Sequence, residues 1–149
     1  MPWIAAEPDQ PVVAEPPSNL TGSEVTMTGL RLEGIVDLPT SNGTLTVLKF
    51  SMDQAIINDL LLRASGPVGR TTRIAADRLI VGGEVVLYAT RFVAWLLGTK
   101  VTLMPTMPMP EGIPRASSIP ITFSNPAIDL AFLEGDTVTA RPRLTLNLN

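Results

Sequence analysis

The amino-acid sequence predicts an all-β domain: a sandwich or a curled antiparallel sheet (a β-taco or a flattened barrel) of about nine strands, with a proline-rich N-terminal arm. Two observations predict it. From residue 23 onward apolar and polar residues alternate with a period of two, with many Val, Ile and Thr. Gly, Pro and Asn clusters interrupt this pattern at short intervals, as turns between strands do.

The proposed arm covers residues 1–22, and the single β domain covers residues 23–149. The first 20 residues contain five prolines and three acidic residues, which favours an extended chain over a helix. Such an arm can be held by its own domain or by a neighbouring subunit, and the sequence does not choose between these. Trp3, Pro16 and Pro17 are its candidate contact residues.

A hairpin is predicted between residues 30–38 and 44–52. The dipeptide Asn42-Gly43 separates the two strands and tolerates the positive φ angles of a tight turn. Gly29 lies where the apolar parity changes, which indicates a β-bulge.

The next segments are read as strands on context. Residues 54–64 fit either a short helix or a strand, and we favour the strand. A turn at 66–69 leads to a strand at 71–81, which the pair Gly82-Gly83 is expected to end.

The strand at 84–97 is apolar on both faces, so both must be covered by another sheet, a partner or a ligand. Its residues Phe92, Trp95 and Leu97 are therefore candidates for an assembly surface or an apolar groove, although aromatic residues at strand spacing are more often core.

A proline-rich connection at 105–120 leads to strands at 121–123 and 127–133, and residues 134–136 form a turn. The last strand, 137–148, alternates cleanly. Pro142 cannot donate to a hydrogen-bond ladder, so we expect this strand at a sheet edge, with Pro142, Leu144 and Leu146 as assembly candidates.

Composition excludes most catalytic chemistry. The 149 residues contain no His and no Cys, which removes Ser-His-Asp and Cys-His catalysis, the usual zinc and haem ligands, and disulfides. We therefore expect no enzyme, no cofactor and no metal. The net charge of −3 and the lack of a basic stripe argue against nucleic acid as a partner.

Three methionines, Met104, Met107 and Met109, could in principle hold Cu(I), because thioethers are soft ligands. Methionines in a proline-rich loop are more often adaptable apolar filler, and we favour that interpretation. No apolar run reaches the length of a membrane-spanning helix, and residues 1–7 lack the features of a signal peptide.

Three segments resemble a family of small β-rich actinobacterial proteins that we associate with export: residues 29–52 (GLRLEGIVDLPTSNGTLTVLKFSM), 85–105 (VVLYATRFVAWLLGTKVTLMP) and 121–139 (ITFSNPAIDLAFLEGDTVT). The resemblance implies an all-β fold and a location outside the cell or at its envelope. It carries over no catalytic residue. The absent signal peptide departs from that pattern and leaves the cytoplasm as the other location.

Two functions follow as hypotheses. The first is a non-enzymatic structural protein that forms homo-oligomers, such as a filament, a coat or an envelope-associated assembly, through strand edges and the arm. The alternative is a β module that binds a lipid or another apolar ligand in a groove at the cell envelope.

Overall fold

The computed structural model describes residues 18–40, 43–65, 71–106, 116–141 and 145–148, and within these ranges the chain is all-β. Alternating apolar side chains and β-branched residues favour the extended backbone throughout. The strands are β1 (Ser18–Thr21), β2 (Glu24–Thr28), β3 (Arg31–Thr40), β4 (Gly43–Ser65), β5 (Thr71–Leu96), β6 (Thr99–Leu103), β7 (Ile121–Glu134), β8 (Thr137–Arg141) and β9 (Thr145–Leu148).

The sheet is built on two long strands, β4 and β5, which pair antiparallel along most of their length. Strands β1, β2 and β3 follow one another along the other edge of β4, from the pair Asn19–Arg63 to the pair Thr40–Gly43. The predicted hairpin is therefore confirmed as β3 and β4.

The second edge of β5 is also occupied by successive strands. β7, β8 and β9 run one after another along it, all antiparallel to β5. β6 forms a short hairpin with the end of β5, on the edge that β4 has left.

The sheet closes on itself, because β7 pairs with β1 and β2 as well as with β5. Arg78 in β5 pairs with Asn58 in β4, which pairs with Glu24 in β2, and Glu24 pairs with Ser124 in β7. Ser124 pairs with β5 again, but at Trp95 and not at Arg78. This large stagger means that the strands coil strongly around the interior. The expected curled antiparallel sheet is confirmed.

Two apolar clusters stabilise the sheet, one on each face. The main cluster fills the interior and includes Leu48, Val85 and Phe92, and the second cluster consists of Val36, Leu38, Val47 and Tyr88 with half-buried neighbours. Because successive side chains of a strand point to opposite faces, the neighbours Val47 and Leu48 belong to different clusters.

The prediction that the 84–97 strand is covered on both faces holds for only part of its length. Residues 85–89 are covered twice: Val85, Leu87 and Ala89 lie in the main cluster, and Tyr88 lies in the second. Beyond residue 90 the outer face opens to solvent, and Trp95 is 41% exposed. The expectation of double cover is wrong at this end, where β6 replaces β4 beside β5 and places the polar residues Thr102 and Lys100 opposite Val93 and Trp95.

The long strands are bent along one line that crosses the sheet. Gly29, with a φ of +67°, separates β2 from β3 beside Asp53 of β4, and Gly83, with a φ of +74°, lies in β5 beside Asp136. The predicted bulge at Gly29 is therefore wrong: Gly29 lies in the break between β2 and β3, and the register shift on β3 comes later, between Leu32 and Gly34.

Several predicted strand boundaries are wrong for one reason: bulges bend these strands without ending them. Gly82-Gly83 does not end a strand, since β5 continues through it. Residues 121–134 form one strand, which passes Asn125 at a φ of +49°. At 134–136 the chain does not reverse, because β8 continues in the direction of β7 along β5.

The predicted boundary of the arm at residue 22 is also wrong. Ser18–Thr21 is strand β1, which is paired with β4 on one edge and β7 on the other. Leu20 is buried in the main cluster. Prolines dominate the preceding residues, and the single apolar side chain of this short strand gave too weak a pattern to separate it from them.

Among the described residues there is no helix long and apolar enough to cross a membrane.

Candidate functional site

Phe92 lies in the core and not at a surface, so its place among the assembly candidates is corrected. Its ring centroid is 5.5 Å from that of Phe50 and 5.2 Å from that of Phe123. A void of about 10 Å³ beside these rings is lined by apolar side chains, so it is too small and too apolar to hold a ligand or a stable water. Burial of an aromatic ring at strand spacing explains this position.

Trp95 and Leu97, by contrast, are exposed at the end of β5. Trp95 is 41% exposed and Leu97 is 97% exposed, and across the connection to β7 Ile119 is 67% exposed. We call these three side chains the apolar tip. The sequence analysis missed Ile119 because it assigned residues 105–120 to an external connection. The available signal was an apolar residue that follows Ser118 and lies directly before Pro120-Ile121, where β7 begins.

The turn between β5 and β6 sets the position of Leu97. It consists of two residues, Leu97 with a φ of +50° and Gly98 with a φ of +81°. Positive φ at both central residues is the signature of a type I′ turn, whose twist matches that of the flanking strands. Asn and Gly are preferred at the first of these positions, and leucine is not. This exposed leucine is therefore an unfavourable local choice.

A cleft of about 400 Å³ lies beside the turn. Its walls are Leu96 and Leu97 on one side and the segment 117–122 on the other. That volume falls within the range of small-ligand sites. The lining is mainly apolar, so the cleft suits an apolar group more than a charged one.

Short hydrogen bonds fix the segment that faces the turn. Ser117 N donates to Leu30 O at 2.9 Å, which ties the segment to the end of β2. Ser117 Oγ donates to Ile119 O at 2.8 Å and accepts from Ile119 N at 3.3 Å. The hydroxyl is thus used within its own turn, and Ile119 is left pointing outward with a defined backbone.

Charge is unevenly distributed around the apolar tip. Lys100 is paired directly with Trp95 across the hairpin and is exposed. Residues 92–106 and 116–124 contain no carboxylate, although the whole chain has a net charge of −3. Further from the turn, Arg91 is the backbone register partner of Asp129 in β7.

A second exposed apolar feature lies towards the other end of β5, where β8 and β9 pair with it. β8 pairs with β5 alone among the described strands, which leaves its other edge open, and the same holds for β9. We call β8 and β9 the open edge. Val138 in β8 is 63% exposed, while Leu79 and Ala140 beside it are half-buried against the main cluster. The apolar interior therefore reaches this edge of the sheet.

The predicted edge strand at 137–148 is confirmed for its described parts. Leu146 lies in β9, where its backbone pairs with Ile74. Pro142 and Leu144 lie outside the described residues, and so do Trp3, Pro16 and Pro17 of the arm.

Three carboxylates in the described ranges accept hydrogen bonds from side chains on neighbouring strands. Thr46 Oγ1 donates to Asp37 Oδ1 at 2.6 Å, and Asn19 Nδ2 donates to Asp129 Oδ1 at 3.2 Å. Glu33 accepts from Ser51 Oγ at 2.8 Å. The same part of the chain contains no group of three or more carboxylates that would hold a metal ion.

Met104 follows β6 and is half-buried, and Met107 and Met109 lie outside the described residues. The predicted role of these three methionines as apolar filler stays a prediction.

Comparison of the chain with family models, with curated proteins and with solved structures finds no match.

Proposed function

We propose that this chain is a non-enzymatic structural protein that associates with copies of itself through the open edge. The observation that carries the proposal is Val138, a large apolar side chain that is 63% exposed on a strand whose second edge pairs with no other described strand. Free backbone groups at such an edge accept a further strand without any special side chain.

Packing beneath the edge supports the same proposal. Leu79 and Ala140 pack against the main cluster beside the edge, and Val138 lies opposite Val81, which is buried in that cluster. A strand from a second copy would extend the sheet and cover this apolar border at the same time. Burial of a valine side chain contributes about 1.5 kcal/mol or more, in addition to the ladder of backbone hydrogen bonds.

The chemistry of the chain supports a role without catalysis. Neither histidine nor cysteine is present, and Asp37, Glu33 and Asp129 are each held by a hydroxyl or amide on a neighbouring strand. In line with the resemblance of three segments to exported β-rich proteins, we propose that the assembly works at the cell envelope or outside the cell.

Light scattering over a range of concentrations tests the proposal on the full chain. We expect defined oligomers or filaments for the wild type and a shift toward monomer for Val138→Lys, because a lysine on an edge strand opposes strand addition. Leu97→Asn, at the apolar tip, is the matched control and should assemble like the wild type. A wild-type monomer at high concentration would refute the proposal.

The cleft favours a second candidate function, the binding of an apolar ligand such as an acyl chain. Its volume of about 400 Å³ and its apolar walls carry this alternative. Native mass spectrometry after mild purification distinguishes the two: a monomer that retains a lipid favours the ligand-binding module, and an empty multimer favours assembly.

A further inference from the structure

The apolar tip has features that self-association through the open edge does not use. Trp95, Leu97 and Ile119 lie at the far end of β5 from the residues that pair with β8, and Leu97 projects from a two-residue turn with 97% of its surface exposed. A leucine this exposed on a tight turn projects from the surface beside the cleft, where it can enter the acyl region of a lipid layer.

Leucine at this position has a local cost. Its φ of +50° belongs to the left-handed region, which a side chain with a β-carbon adopts at a cost of roughly 1 kcal/mol. Asparagine would fit the turn better. A residue that fits its local backbone conformation poorly is expected at functional positions, because the loss of stability there is accepted for a gain in function.

The residues beside Leu97 suit the boundary between lipid and water. Tryptophan is enriched at that boundary. Trp95 lies two residues before Leu97, and it is 41% exposed. Lys100, directly opposite Trp95, supplies a cation at the level of lipid phosphates. Residues 92–106 and 116–124 carry no carboxylate that an anionic membrane would repel.

From these observations we propose that the apolar tip docks on the surface of a lipid bilayer with anionic headgroups. Leu97 and Ile119 enter the acyl region, Trp95 lies at the boundary, and Lys100 contacts headgroup phosphates. The inference does not depend on assembly through the open edge, since it uses other residues.

Vesicle co-sedimentation with the full chain tests the inference. Vesicles of mixed phosphatidylcholine and phosphatidylglycerol should bind the wild type, and Leu97→Asn should weaken binding about tenfold, because one buried leucine side chain is lost. Val138→Lys is the control and should bind like the wild type. Lys100→Gln should weaken binding to the mixed vesicles more than to pure phosphatidylcholine.

Fluorescence gives an independent readout from the same residues. The chain contains two tryptophans, so Trp3→Phe leaves Trp95 as the single emitter. We expect its emission to shift to shorter wavelength when mixed vesicles are added. Wild-type protein that fails to sediment with vesicles, or equal binding by Leu97→Asn, overturns the proposal. A change in oligomeric state with Leu97→Asn instead of a change in vesicle binding overturns it too, because the tip would then contact a second copy.

Discussion

Gly83 lies so close to Asp136 that a β-carbon on the glycine would be 2.6 Å from the Oδ2 atom of the aspartate. Gly83 also has a φ of +74°, and Asp136 N donates to Gly83 O at 2.9 Å. The pair joins β5 to the start of β8, so it sets the position from which the open edge begins.

Gly83→Ala should therefore lower the free energy of unfolding by about 1–3 kcal/mol, through left-handed strain and contact with Asp136. Urea denaturation measures the loss. Gly82→Ala is a close control, since its β-carbon would meet only Thr137 Oγ1 at 3.2 Å and the threonine side chain can rotate about χ1. Equal losses for the two variants would show that the bulge at Gly83 is not the sensitive point.

Phe92→Ala should destabilise the fold by roughly 3–5 kcal/mol, because it removes a buried ring from contact with Phe50 and Phe123. Val93→Ala, at a half-buried position on the other face, should lose less. Thermal or chemical denaturation of both variants checks the order. A loss at Phe92 no larger than that at Val93 would contradict the placement of this ring in the core.

Leu97→Asn should leave the fold intact and raise its free energy of unfolding by about 1 kcal/mol, because asparagine tolerates the left-handed conformation of the β5–β6 turn better than leucine does. The measurement is chemical denaturation in the absence of lipid. A clear loss of stability would mean that Leu97 packs against the protein, contrary to its 97% exposure.

Glu33→Gln should change stability by no more than about 0.5 kcal/mol. The carboxylate lies 3.5 Å from Arg31 Nε, but both side chains are substantially exposed, so solvent screens the pair. Glutamine can still accept the hydrogen bond from Ser51. Denaturation at low and high salt measures the effect, and a loss above 1.5 kcal/mol would show that this network has a larger role.

Much of the fold could be predicted from the sequence, because alternation and turn residues are local signals. The hairpin of β3 and β4 around Asn42-Gly43 is an example. The continuity of β5 through Gly82-Gly83 could not be predicted, because two glycines have no side-chain pattern and the ladder on β4 and β8 is formed by residues distant in the sequence.

The candidate sites divide in the same way. The edge position of β8 and β9 was predictable from Pro142, whose missing donor excludes a central strand. The exposure of Trp95 was not, because it depends on which strand lies beside this end of β5, and that strand is β6, with Lys100 opposite Trp95. Ile119 was missed since its partner across the cleft, Leu97, is brought near it by tertiary structure alone.

Hydrogen exchange of β8 at increasing protein concentration tests assembly through the open edge most directly. We predict that amides of 137–141 gain protection as concentration rises, while those of β2, which is paired on both edges, stay unchanged. Exchange in β8 that is independent of concentration while larger species form would contradict the account, because the copies would then meet at another surface.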